Sequence, residues 1–213
     1  MNRDAMALAE RALEHFVNKT TDQAETTMEI PLGAYKDEER YAREIERVFK
    51  HLPLALALSL ELSEAGSYKA MTVMGVPLLI VRGEDLKVRA MLNVCRHRGA
   101  RLCADGIGQK RIFACPYHAW TYDHKGALKG RYGGDTFGEI ANDQYGLTAL
   151  HCEERSGIIW ASLTPGDFFD VDAWLGDFGE ELNTLDLNNW HPYEQRDLPG
   201  PGWKVTMDGY LEA

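Results

Sequence analysis

Residues 95–118 read CRHRGARLCADGIGQKRIFACPYH. Within them, Cys95-x-His97 is followed 17 residues later by Cys115-x-x-His118. Two thiols and two imidazoles in two compact pairs are useful together only if two separate loops meet, so the chain around them must be a scaffold that clamps. The flanking sequence has that texture. Segments 54–62, 68–74, 78–81, 86–94, 111–114, 119–122 and 157–163 are short and apolar, with turn residues at Gly66, 75–77 and 83–85 and a hairpin turn expected at 123–126. Their spacing predicts an antiparallel all-β domain over 53–165. Helical periodicity brackets it. Met6, Ala9, Leu13, Phe16 and Val17 predict a helix over 4–17 with Asp4 as N-cap, and Tyr41, Ile45, Val48 and Phe49 a second over 37–50, ended by Pro53. Residues 18–34 read as a connecting arm. Val171, Trp174, Leu175, Phe178, Leu182 and Leu185 predict a further helix over 170–187. The expected fold class is mainly β with flanking helices, in three parts: an N-terminal helical region and arm (1–52), the β domain (53–165) and the beginning of another domain (166–213). Because 203–213 stops without a cap or polar tail, the chain is expected to be the front of a longer protein.

Composition narrows the function classes. Of 213 residues, 45% are hydrophobic and 26% charged, ordinary values for a globular protein, and the net charge is −10. An acidic chain is a poor ligand for nucleic acid or an anionic membrane. No stretch approaches the length of a membrane span, and the N-terminal MNRDAMALAE lacks a secretory pattern. Four cysteines, Cys95, Cys103, Cys115 and Cys152, are too few for a disulfide scaffold, so a reducing cytoplasm is the expected compartment.

The Cys/His pairs admit three readings. A mononuclear zinc site takes all four donors tetrahedrally. A Rieske-type [2Fe–2S] centre divides them, both cysteines on one iron and both histidines on the other. In the third, the residues are buried cysteines and unrelated histidines. Mixed Cys/His pairs favour the second, because zinc sites more often pair like ligands. Trp120 is expected either to shield such a centre or to pack in the core. Arg96, Arg98 and Arg101 either form a docking face for an acidic electron donor or, the favoured expectation, pair locally. Cys103 and Cys152 read as packing residues, His124 as a solvated turn residue, and His15, His51, His151 and His191 as structural.

The segments NVCRHRGA (93–100) and CPYHAWTY (115–122) resemble the clamp loops of the large subunit of Rieske non-haem iron oxygenases, the aromatic-ring-hydroxylating enzymes and related demethylases. The resemblance implies that Cys95, His97, Cys115 and His118 hold a [2Fe–2S] cluster. It also separates two Rieske classes. Respiratory Rieske proteins carry an extra cysteine in each loop, joined as a disulfide, where Ala100 and Tyr117 stand here. A stand-alone Rieske ferredoxin is the alternative, but it needs only about 100 residues.

Further implications of the resemblance concern the end of the chain. Residues 202–213 resemble the strand-to-helix start of the family's catalytic domain, which continues to a two-histidine, one-carboxylate site for a mononuclear Fe(II). Those ligands are expected beyond Ala213. Glu212 stands where the family has an acidic residue, usually Asp, that bridges the cluster of one subunit to the iron of the next, and Asp208 is its rival. The resemblance also implies a NAD(P)H-dependent flavin reductase, in some cases a ferredoxin, a small organic substrate with O2, and a homotrimer with or without a β subunit. Glu in place of Asp points to a non-aromatic substrate such as a small quaternary amine.

Overall fold

The computed structural model describes residues 3–134, 138 and 140–211. The chain divides into two compact units, Met1–Asp37 and Glu38–Ala213. In the first, α1 (Arg3–Asn18) already contains Asp4 in its first turn, so Asp4 is not the expected N-cap. His15 closes this unit, with hydrogen bonds to Thr20 and Asp22 at 2.9 Å each, and Arg11 joins it on Asp22. A single-turn helix, α2 (Gly33–Lys36), follows.

The second unit opens with α3 (Glu38–Glu44), which widens into a π-helical turn over Ile45–Phe49. Eleven strands follow among the described residues: β1 (Leu54–Leu58), β2 (Ser67–Val73), β3 (Val76–Arg82), β4 (Val88–Leu92), β5 (Gly106–Gln109), β6 (Phe113–Ala114), β7 (Thr121–Tyr122), β8 (Leu128–Gly130), β9 (Ala149–Leu150), β10 (Cys152–Arg155) and β11 (Ile158–Ala161). They form three antiparallel sheets in the orders β5-β2-β3-β4-β9, β1-β11-β10 and β6-β7-β8. Two hairpins close on two-residue turns with both φ values positive, Met74-Gly75 (47° and 78°) and Ser156-Gly157 (55° and 75°), the handedness that matches strand twist.

The five-stranded sheet is the middle layer. β3 is buried from Leu78 onward, and its side chains divide by parity. Leu79 and Val81 pack with Met91, Phe113, Trp120, Tyr122, Leu128 and both clamp cysteines. Leu78 and Ile80 face the other way, onto Leu62, Ala90, Leu150, Ile159, Ala161 and Leu163. Period-two alternation on a doubly covered strand therefore builds two cores, and the first is also the floor of the Cys/His loops.

Several expectations need correction. The strand over 54–62 ends at Leu58, and Ser59–Leu62 is a 3-10 turn in which Glu61 accepts from the Leu58 amide at 2.7 Å. The helix over 170–187 is two helices, α4 (Val171–Leu175) and α5 (Phe178–Thr184), because Gly176 adopts φ +53°. Asp170 caps α4, accepting from the Ala173 amide. The C-terminal segment is helical from its start, α6 (Trp203–Leu211), without a preceding strand. Strands β5, β8, β9 and β10 were not anticipated; they are short, and β5 and β8 carry glycines that break the apolar pattern. Glu44 anchors α6, accepting from Lys204 Nζ (2.7 Å) and Trp203 Nε1 (3.2 Å), while the Trp203 ring meets Phe49 edge-on at 5.3 Å. No described helix is long and apolar enough to cross a membrane.

Candidate metal centre

The two clamp loops are the same backbone device used twice. In one, the Cys95 amide donates to the Ala100 carbonyl (2.8 Å) and the Gly99 amide to the Cys95 carbonyl (2.9 Å). In the other, the Cys115 amide donates to the Trp120 carbonyl (2.8 Å) and the Ala119 amide to the Cys115 carbonyl (2.9 Å). Each loop turns through a left-handed residue at the same place, Gly99 at φ +73° and Ala119 at φ +52°. The first loop leaves β4 and the second joins β6 to β7, so neighbouring sheets deliver them to one point.

Asn93 locks the first loop. Its fully buried side chain accepts from the Leu102 and Cys103 amides (3.2 and 3.1 Å) and donates to the Cys103 carbonyl (2.8 Å). These bonds satisfy backbone groups that the turn would otherwise strand in the core. The sequence signal for it was a lone amide closing an apolar strand.

The four donors meet as like pairs. Cys95 and Cys115 are buried, 2% and 3% exposed, in the same core cluster. The His97 and His118 rings meet edge-on with centroids 4.8 Å apart. Trp120 lies flat on His97 at 4.9 Å and 8°, so it does shield the site, and it is itself buried in the core. Tyr117 leans on His118 at 3.7 Å, and its ring is exposed. His118 Nδ1 is buried without a hydrogen bond among the described residues. A buried imidazole nitrogen in that state is costly unless a metal takes its lone pair. Among the described residues no three His, Cys, Asp or Glu side chains gather for a single metal ion. A thiol pair beside an imidazole pair is instead the donor set a two-iron centre divides between its metals.

Electrostatics support metal-ready ligands. Burial, then the neighbouring His118 ring and Arg98, hold His97 below the ordinary imidazole value, which keeps it neutral and able to coordinate. Burial raises the Cys95 thiol. Tyr122 opposes that shift: its hydroxyl lies 3.3 Å from Cys95 Sγ while it accepts from the Arg96 amide at 3.1 Å. Burial, then that bond, pushes the Tyr122 phenol well above its usual range, so it stays a donor. This contact was missed, because it joins residues 27 positions apart.

Other candidates fall outside the centre. Cys103 is buried in the core and Cys152 packs at the edge of the second cluster, as expected of packing residues. Burial, then Glu154 and Glu153, push the Cys152 thiol up to about 12. His124 is not solvated. It is 5% exposed, and its Nε2 donates to the Lys110 carbonyl at 2.6 Å. His51 bonds Asp167 at 2.7 Å, and His151 bonds Glu153 and the Phe169 carbonyl at 3.0 and 2.8 Å. Arg101 pairs with Asp105 at 2.9 Å; Arg96 and Arg98 are exposed and, among the described residues, make no ion pair, so the expected local pairing holds for one of three. Asp208 is half-buried on α6, and Glu212 lies outside the described residues.

Residues 53–133, which contain both loops, match the Rieske [2Fe-2S] domain family. The chain carries a Rieske [2Fe–2S] domain. It is 32% identical over 189 residues to the carnitine monooxygenase oxygenase subunit of Escherichia coli (strain K12), covering 86% of this chain and 50% of that one. It is 31% identical over 166 residues to benzene 1,2-dioxygenase subunit alpha of Pseudomonas putida, covering 75% and 37%. Its fold superposes on a quaternary ammonium Rieske monooxygenase in complex with L-carnitine with a TM-score of 0.79, at 28% identity, over 85% of this chain and 52% of that one. Over most of its length the chain is thus similar to oxygenase subunits of this kind, well beyond the Rieske match itself. It spans half the length of these curated relatives or less.

Proposed function

We propose that this chain is the electron-relay part of a Rieske oxygenase large subunit, with Cys95 and Cys115 holding one iron of a [2Fe–2S] cluster and His97 and His118 the other. Electrons from a NAD(P)H-dependent flavin reductase, directly or through a ferredoxin, pass one at a time through this site towards a mononuclear iron outside the chain, where an organic substrate is hydroxylated or dealkylated with O2. The observation that carries the reading is the thiol pair beside the imidazole pair, with His118 Nδ1 buried and unbonded. A stand-alone carrier fits less well, because similarity to oxygenase subunits covers 86% of the chain and runs well past the Rieske match.

Bound here, the cluster supplies one-electron transfer at a potential set by its ligands, hydrogen bonds and exposure. The chain's own residues set those conditions. The paired loops hold the thiols buried and the imidazoles at the rim. Trp120 keeps water from the His97 face, and Tyr122 directs its hydroxyl at Cys95 Sγ. The functional limits follow as 53–165 for the Rieske domain, with 1–52 before it and 166–213 leading into the catalytic part. Similarity to amine monooxygenases supports a small quaternary ammonium substrate over an aromatic one.

Anaerobically purified protein is expected to be red-brown, to contain two iron and two acid-labile sulfide per chain, and to give a rhombic Rieske electron paramagnetic resonance signal when reduced. A colourless preparation with one zinc overturns the reading. A chain ending at Ala213 accepts electrons but turns over no substrate; substrate-dependent O2 consumption by it refutes the division of labour.

Glu212 is proposed as the carboxylate bridging His118 of one subunit to an iron-ligating histidine of the next, with charge-assisted bonds of about 1.5–3 kcal/mol each. In the full-length protein, Glu212→Gln should leave cluster reduction intact and slow transfer to the mononuclear iron at least about tenfold, the loss of one such bond. Normal turnover in Glu212→Gln together with failure in Asp208→Asn assigns the bridge to Asp208 instead.

A further inference from the structure

The segment 164–172, which leads out of the β domain, is held to it by side chains rather than by a strand ladder. β10 is an edge strand of the outer sheet, and its residues divide by parity. Cys152 packs on the second core and Glu154 pairs with Arg82. His151, just before the strand, and Glu153 and Arg155 within it share the other face. That face meets the segment in order. His151 Nε2 reaches the Phe169 carbonyl at 2.8 Å, Glu153 accepts from the Val171 amide at 3.4 Å, and Arg155 Nε donates to Asp172 at 2.6 Å. His151 Nε2 also faces Glu153 at 3.0 Å, and a ring nitrogen set between two acceptors carries the proton and donates to both. The Phe168 and Phe169 rings lie 4.5 and 4.4 Å from that imidazole, and Val171 beyond them is fully buried. His51 takes Asp167 of the same segment at 2.7 Å.

We propose that His151 and Glu153 are positioning residues for electron transfer: they latch the start of the catalytic part to the Rieske domain and so fix the bearing of the cluster on the mononuclear iron. The inference rests on the electron-relay reading and adds what sets its geometry. β10 suits this role because the same strand is tied through Glu154 to Arg82 on β3, the strand that floors the clamp loops with Leu79 and Val81. Clamp loops, middle sheet, β10 and α4 therefore form one line of contacts. Both latch side chains are part-buried, where a stranded polar group is costly, whereas Arg155 and Asp172 are exposed and pair weakly. A displacement of about 1 Å between reacting groups costs up to about 100-fold in rate, so a joint loosened far from the metals is felt at them.

The test uses full-length holoprotein. His151→Phe keeps a ring beside the two phenylalanines and removes the donor; combined with Glu153→Leu it opens the latch. Hydrogen exchange of the 169–173 amides should quicken at least about tenfold in the double variant, since local opening sets their protection. The cluster's spectrum and midpoint potential should match wild type. The mononuclear iron speeds spin relaxation of the reduced cluster, read as the difference between iron-loaded and iron-free protein, and this enhancement should shrink, because it falls steeply with distance. His151→Gln, which returns an amide donor to the place of Nε2, should keep both readouts near wild type. Arg155→Gln should leave both within about twofold, as an exposed ion pair contributes little. Unchanged exchange in the double variant overturns the latch. Faster exchange with an unchanged enhancement overturns its positioning role, and a shifted midpoint potential does so by assigning both residues to the cluster's own surroundings. Should the double variant fail to fold, His151→Phe alone is read by the same criteria. Wild-type protein with the cluster but no enhancement refutes the relay reading, and the exchange result still decides whether the latch exists.

Discussion

Tyr122 shows how one hydroxyl sets the centre's chemistry. It accepts from the Arg96 amide, which leaves its own proton for Cys95 Sγ. A donor to sulfur stabilises the more negative, reduced state, so it raises the potential. A difference of about 1 kcal/mol between redox states is roughly 40 mV for one electron. Tyr122→Phe should therefore lower the midpoint potential by that order, measured by a redox titration followed through the reduced-state signal. A potential unchanged within error removes the hydroxyl from this role. At this scale the proposed ligands were legible and the side chains that contact them were not. Cys95, His97, Cys115 and His118 announce themselves by local spacing. Tyr122 and Asn93 act across 27 and 10 residues, on atoms that only the packed sheets bring near. His124 was misread because a turn residue looks solvated until the fold lays the Lys110 segment over it.

Among the elements, the two clamp loops share one hydrogen-bond pattern but not one residue at its left-handed position. Gly99 occupies φ +73° freely, and a Cβ there would meet nothing within 4 Å. Ala119 holds φ +52° with a side chain, which costs roughly 1–2 kcal/mol. Ala119→Gly should stabilise the protein by about 1 kcal/mol and Gly99→Ala should destabilise it by a similar amount, read from denaturant midpoints at unchanged slope. A destabilised Ala119→Gly shows that its methyl group packs for more than the backbone loses. The strand texture over 68–94 was readable because its short apolar runs are set apart by turn residues at 75–77 and 83–85. The division of 170–187 into two helices was not, since Gly176, like Gly179 three residues on, is compatible with either outcome until φ is set.

For the whole molecule, the outer sheet is held to the middle one by a part-buried ion pair. Arg82, its side chain 9% exposed, reaches from β3 to both carboxylate oxygens of Glu154 on β10, and also donates to the Leu62 and Leu86 carbonyls. Removing one partner strands the others, at about 3 kcal/mol. Arg82→Leu should lose about that much in equilibrium unfolding; a loss below about 1 kcal/mol is a surface-pair value and contradicts the burial. Burial opposes the charge on Glu154, but the Arg82 guanidinium outweighs it and holds the carboxyl below its ordinary 4.5. A depressed folded value means stability that is complete above that ordinary value and fades as pH falls through the folded one. Acid sensitivity below pH 4.5 should accordingly be shallower in Arg82→Leu than in wild type.

What the sequence by itself determined is whatever short-range order encodes: the Cys/His pairs, the unbroken apolar run of β3, and the turns that close its hairpins. Each depends on neighbours a few residues apart, where spacing and backbone preference act directly. Only the tertiary structure decided that the donors meet as a thiol pair and an imidazole pair, that Trp120 roofs His97, that Tyr122 reaches Cys95, and that Arg101 finds an acid while Arg96 and Arg98 do not. Those contacts depend on how three sheets stack. Stacking is driven by burial of apolar area, which has no direction of its own, so the pairing of particular polar atoms emerges only when the cores are closed.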